Sequence, residues 1–128
     1  MTIRPGTVAR RRTLFEEASD IIEREYAQPI ELDDVARRLA TSRRQLQRAF
    51  SEAGATSFRT HVAKVRMRRA LELLREGNLP VRDVANSVGY RQPAQFAKTF
   101  RRHHGAPPSS FRGPGQGSPA SDRQPATA

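Results

Sequence analysis

Residues 81–100 read VRDVANSVGYRQPAQFAKTF, and residues 32–50 read LDDVARRLATSRRQLQRAF. The two strings share a pattern. Leu32, Asp34, Val35, Ala36 and Leu39 recur at the spacing of Val81, Asp83, Val84, Ala85 and Val88, and Ala40 falls where Gly89 sits. One inserted residue later, Leu46, Arg48 and Phe50 match Phe96, Lys98 and Phe100. A further insertion aligns Gly54 with Gly105, and the two segments close on Phe58 and Phe111. Two copies are too few for a solenoid, which needs three or more stacked units. They make a pair of similar modules.

Each copy reads as a short helix, a tight turn and a longer helix, with a small alanine four positions before the turn. Alanine lets two helices approach closely, and the apolar residues that follow pin the second helix at a steep angle. That is the grammar of a helix-turn-helix. In the first turn, positive φ at Ala40 would cost about 1 kcal/mol relative to glycine, so a turn geometry different from that at Gly89 is expected.

The flanking sequence supplies the other helices. Leu14, Ala18, Ile21, Ile22 and Tyr26 recur at intervals of three and four, which predicts a helix over 13–27. Pro29 ends it, because the residue before a proline is pushed out of the helical region. Helices follow over 31–39 and from Ser42 onward, the second closed by Gly54. The string Ser42-Arg43-Arg44-Gln45 fits a capping box, in which hydroxyl and amide satisfy free donors. Phe58, Val62, Val65, Ala70, Leu71 and Leu74 predict a longer helix over 58–76, stopped by Gly77. Val81–Val88, Pro93–His104 and one turn from Pro108 complete the pattern; proline suits a first helical position.

The expected fold is all-α: two helix-turn-helix subdomains joined by a long linker helix, about seven helices in all. Residues 1–12 read as a flexible basic arm, 13–57 as the first subdomain and 58–76 as the linker. Residues 77–112 form the second subdomain. The final stretch, 113–128, rich in Gly, Pro, Ser and Ala, reads as a disordered tail.

Charge narrows the function. The 128 residues carry 23 Lys and Arg against 13 Asp and Glu, a net charge of +10, which points to a polyanionic partner. The excess is segregated. Residues 13–36 hold eight carboxylates and one arginine, net −7, whereas 37–112 hold 17 bases and four acids, net +13. A solvated helix face would need interleaved carboxylates that the second stretch lacks. The absence of cysteine excludes a disulfide framework and a thiol nucleophile. No apolar run is long enough to span a bilayer and the N-terminus has no apolar signal core, so a cytoplasmic location is expected. No nucleophile–base pair, carboxylate pair or phosphate loop suggests an enzyme, and no cofactor is expected. His61, His103 and His104 do not form a metal set.

From Ile21 to Arg112, about 92 of the 128 residues, the chain resembles the DNA-binding domain of the AraC/XylS family of bacterial transcription regulators. The matching pieces are Val35-Ala36, Leu39, Ser42-x-x-x-Leu46-x-Arg48-x-Phe50, Gly54, Phe58, Arg66-Met67, Ala70, Leu73-Leu74, Val84-Ala85, Val88-Gly89-Tyr90, Phe96, Phe100, Gly105, Pro108 and Phe111-Arg112. The resemblance implies double-stranded DNA as partner and an activator that works with RNA polymerase on the bacterial nucleoid; because the two modules carry different side chains, the operator is expected to be asymmetric. No effector domain is visible, so the chain is similar to the short, stand-alone members that bind as monomers. One departure is Ala94, where the family usually has serine or another small polar residue.

Residues for the DNA surface follow from the helix faces. In the first reading helix, Leu46, Ala49 and Phe50 point inward, leaving Arg43, Arg44, Gln47, Arg48 and Ser51 opposite. The family's base-reading positions map onto Arg44, Gln47 and Arg48. Arginine reads guanine bidentately, and glutamine reads adenine. In the second helix, Gln95 and Lys98 are the base-reading candidates, with Ala94 offering only apolar contact. Arg91, Arg101 and Arg102 read as phosphate clamps, a secondary role shared with Arg43 and Ser51. Arg66 is expected in a half-buried ion pair, and Phe58, Tyr90 and Phe111 as core or turn anchors. A linker of 19 residues reaches roughly 28 Å, so one chain can address successive major grooves. The competing readings are a nonspecific nucleoid-type DNA binder and a polymerase-interacting adaptor.

Overall fold

The computed structural model describes residues 5–114, and the regular secondary structure among them is entirely helical. The helices are α1 (Pro5–Glu25), α2 (Leu32–Arg38), α3 (Arg43–Gly54), α4 (Phe58–Glu76), α5 (Val81–Ser87) and α6 (Pro93–His104), followed by a single 3-10 turn, Pro108–Phe111. The chain divides into two compact units, one up to Val65 and one from Arg66. The boundary falls inside α4, which gives its first half to one core and its second half to the other.

In the first unit, α1 contributes Leu14, Ala18, Ile21 and Ile22 to the core, α2 Val35 and Ala36, α3 Leu46, Ala49 and Phe50, and α4 Phe58, Val62 and Val65. Full burial of such a side chain is worth about 1.5–3 kcal/mol, and this cluster is the main reason the short α2 holds its shape. Phe50 lies at its centre, with edge-on ring contacts to Phe15 at 5.1 Å and Phe58 at 5.6 Å. In the second unit Met67, Ala70, Leu74, Val84, Ala85, Val88, Phe96 and Phe100 are buried. Phe100 meets Phe111 at 5.5 Å and His104 at 4.4 Å. His61 packs on Phe15 and Phe50 in the first unit.

Three expectations need correction. The first concerns the basic arm: α1 begins at Pro5, so residues 5–12 are helix. Arginine is a good helix former, and Arg11 pairs with Glu52 of α3, a distant contact that apolar periodicity could not register. Residues 1–4 of that arm, and the tail from 115 onward, lie outside the described residues.

The second concerns the turns, whose geometries agree. Leu39, Ala40 and Thr41 donate backbone hydrogen bonds to Val35, Arg37 and Ala36, and Val88, Gly89 and Tyr90 donate to Val84, Asn86 and Ala85, bond for bond. Both central residues are left-handed, with φ 55° at Ala40 and 99° at Gly89. Ala40 therefore carries the strain that Gly89 avoids. Replacing Ala40 by glycine is expected to stabilise the first unit by about 0.5–1 kcal/mol, read as a higher midpoint in urea unfolding at unchanged slope.

The third concerns Gly54. It is the last helical residue of α3, and Ala55 (φ 53°) is the left-handed residue that ends the helix, as Gly105 (φ 83°) ends α6. With both helices 12 residues long, α3 and α6 correspond at a constant offset of 50 and the second insertion disappears. Gly54 answers to a different demand. A Cβ there would lie 2.3 Å from Phe15 Cε1, so α1 and α3 meet where only a hydrogen fits.

Candidate nucleic-acid interface

Each unit presents one face of its second long helix to solvent. On α3, Ser42 begins the helix and its hydroxyl accepts the Gln45 amide at 3.1 Å, the hydroxyl half of the expected box. Leu46, Ala49 and Phe50 are buried, and the opposite arc carries Arg43, Arg44, Gln47, Arg48 and Ser51, all exposed. The five side chains named from sequence thus stand together.

Their electrostatic situations differ. Arg43 donates to Asp33 of α2 at 3.1 Å, a clasp across the turn. Arg44, Gln47 and Arg48 have no hydrogen-bond or ion-pair partner among the described residues. Several acids of the first unit are taken up by other arginines: Asp34 by Arg37 at 2.8 Å, Glu25 by a two-pronged contact from Arg38 at 2.7 and 2.8 Å, and Glu52, one helical turn from Arg48, by Arg11. The hydrogen bond from Arg38 holds the Glu25 carboxyl below its ordinary range, so this pair is charged at neutral pH. Carboxylates in the first unit therefore consume Arg11, Arg37, Arg38 and Arg43, and leave Arg44 and Arg48 to an outside anion.

On α6 the helix begins at Pro93, and its preceding residue, Gln92, makes no side-chain cap. Proline itself sets the entry by fixing φ, which suits a sequence with alanine at position 94. Phe96 and Phe100 are buried. Arg91, Ala94, Gln95, Lys98, Arg101 and Arg102 are exposed and have no polar partner among the described residues. The offset of 50 sets Ala94, Ala97, Lys98 and Arg101 opposite Arg44, Gln47, Arg48 and Ser51. Gln95 corresponds to Gln45 and Arg102 to Glu52. The sequence repeat already contained that register, but the second assumed insertion obscured it.

Around this face, Arg66 is half-buried with its guanidinium 5.5 Å from the centre of the Tyr90 ring, a cation–π contact that sequence reading did not foresee. His104 lies 3.2 Å from the Met67 carbonyl, a packing role rather than a ligand one. Among the described residues, no group of three or more His, Asp or Glu side chains could hold a metal ion, and no helix is long and apolar enough to cross a membrane.

Comparison with known proteins agrees with this geometry. A helix-turn-helix domain family model matches residues 35–113. The Msm operon regulatory protein of Streptococcus mutans is 33% identical over 92 residues, covering 72% of this chain and 33% of that protein. A transcriptional regulator of the AraC-type DNA-binding domain-containing proteins from Chromobacterium violaceum superposes with a TM-score of 0.76 at 27% identity, over 81% of this chain and 93% of that one. The DNA-binding domain of AdpA, a global transcriptional factor solved in complex with a target DNA, gives 0.69 at 27% identity, over 77% and 88%. The chain spans about a third of the length of the curated relatives it matches. Two helix-turn-helix units, each with a basic outward helix, and these likenesses establish that the chain belongs to the AraC-type family of DNA-binding transcription regulators.

Proposed function

We propose that the chain reads an asymmetric duplex site by laying α3 and α6 in successive major grooves, with α3 supplying most of the sequence discrimination. Arg44, Gln47 and Arg48 read base edges. Lys98 and Gln95 are the base-reading candidates of α6, while Arg91, Arg101 and Arg102 hold phosphates, with Ser51, Arg43 and Ala94 as secondary contacts. The observation that carries this reading is the unpaired state of Arg44 and Arg48 on a face whose nearby acids are already neutralised. α6 offers fewer hydrogen-bonding groups at the equivalent positions, because Ala94 and Ala97 stand where α3 has Arg44 and Gln47. Two unlike reading helices on one chain favour a monomer and an oriented complex. The family resemblance supports activation through RNA polymerase as part of this reading.

Selection of bound duplexes from a random pool, followed by footprinting, tests the proposal. The expected result is a site without dyad symmetry, protected in two patches about 10 base pairs apart on one face. With about six phosphates neutralised, log K should fall with log salt at a slope near −5. A slope near zero, or a palindrome filled only by two chains, would refute it.

A further inference from the structure

Arg11 and Glu52 form an ion pair that joins the second turn of α1 to the last turns of α3. The Arg11 side chain is only 11% exposed, so it is poorly placed to reach DNA itself, whereas Glu52 is 39% exposed. Glu52 follows Arg48 by four residues, so the two are neighbours on the helix surface. A free carboxylate there would compete for the Arg48 guanidinium and would set a negative charge beside incoming phosphates. At the corresponding position α6 carries Arg102, exposed and unpaired among the described residues. The acid on α3 is the exception, and Arg11 is what neutralises it.

We propose that Arg11 is a positioning residue for DNA reading: by holding the Glu52 carboxylate against α1, it keeps Arg48 available to the duplex. The proposal rests on the reading of α3 as the DNA-facing helix. It gives the N-terminal turns of α1, which the shared family pattern from Ile21 onward does not include, a part in recognition.

The test is a mutant cycle on the full chain, using the tightest duplex that the wild-type protein recovers from a random pool. Arg11→Gln should weaken binding about 3- to 10-fold, because one reading contact is partly lost. R11Q/E52Q should return to within about 2-fold of wild type, since the competing carboxylate is gone. Arg10→Gln, which removes the same charge from an exposed site on α1, should change binding less than 2-fold. In an Arg48→Ala background, R11Q should cost little more. Melting temperatures of all variants separate this from simple loss of a buttress, which would lower binding and stability together and would not be repaired by E52Q. The inference is overturned if R11Q/E52Q binds as poorly as R11Q, if R10Q matches R11Q, or if R11Q is as costly without Arg48. Wild-type protein that recovers no preferred duplex would defeat the DNA-reading proposal, and this inference with it. A specific duplex with no coupling in the cycle would defeat this inference alone.

Discussion

The double substitution of Arg44 and Arg48 by alanine should reduce affinity for the selected duplex by at least about 30-fold while leaving thermal stability unchanged. A well-placed bidentate contact from arginine to a base is worth about 1–3 kcal/mol of discrimination, and two of them lie on the same arc of α3. Both side chains are exposed and neither supports the fold through an ion pair among the described residues, so their removal uncovers no buried group. Binding to random duplex should fall much less, because the remaining arginines and lysines still supply phosphate attraction. Two further substitutions set the scale. Arg43→Ala should cost less, because Asp33 already holds that guanidinium and an exposed pair is worth about 0–1 kcal/mol. Gln95→Ala should relax sequence preference less than Arg44→Ala does, because α3 carries most of the discrimination. Competition binding against random duplex reads all four proteins, and equal loss of discrimination from Arg44→Ala and Gln95→Ala would reject the division of labour between the helices.

The largest expected stability effect belongs to Gly54. In an unconstrained helix, replacing glycine by alanine gains about 1 kcal/mol. Here the new Cβ would lie 2.3 Å from Phe15 Cε1 and 2.7 Å from Cζ. The Phe15 ring cannot simply step aside, since Phe50 and His61 hold it edge-on at 5.1 and 5.6 Å. Forcing a methyl group into a packed contact costs typically 1–3 kcal/mol, so Gly54→Ala should destabilise and Gly54→Val should do so more strongly. Urea unfolding gives the sign. Combining Gly54→Ala with Phe15→Leu should recover part of the loss by removing the ring atoms in question. A stabilised Gly54→Ala would mean that α1 and α3 are not in this close approach.

Much of the architecture was legible from local chemistry. The Leu46, Ala49 and Phe50 stripe and its counterpart in Phe96 and Phe100 oriented α3 and α6, because at 3.6 residues per turn a buried stripe dictates the opposite arc. Pro93 and Gly77 marked helix boundaries for equally local reasons, fixed φ in one case and freedom at positive φ in the other. What stayed hidden depended on partners distant in sequence. Residues 5–12 look like an arm until Arg11 finds Glu52, 41 positions away. Gly54 looks like a helix stop until Phe15 arrives beside it. Ala40 looks incompatible with a glycine-type turn, yet the closing hydrogen bonds and the core around Val35 and Ala36 outweigh about 1 kcal/mol of strain.

Sequence alone therefore determined which residues are apolar, where they repeat, that the chain is two like modules, and that its positive charge is segregated. Tertiary structure decided which arginines remain available. Nothing in composition distinguishes Arg44 and Arg48 from Arg11, Arg37, Arg38 and Arg43. A contact three residues apart within α2 takes up Arg37, but only the packing of the helices brings carboxylates within reach of Arg11, Arg38 and Arg43, and it leaves Arg44 and Arg48 facing water. The reason is distance: charge is a property of a residue, but its compensation at 3 Å is a property of the fold.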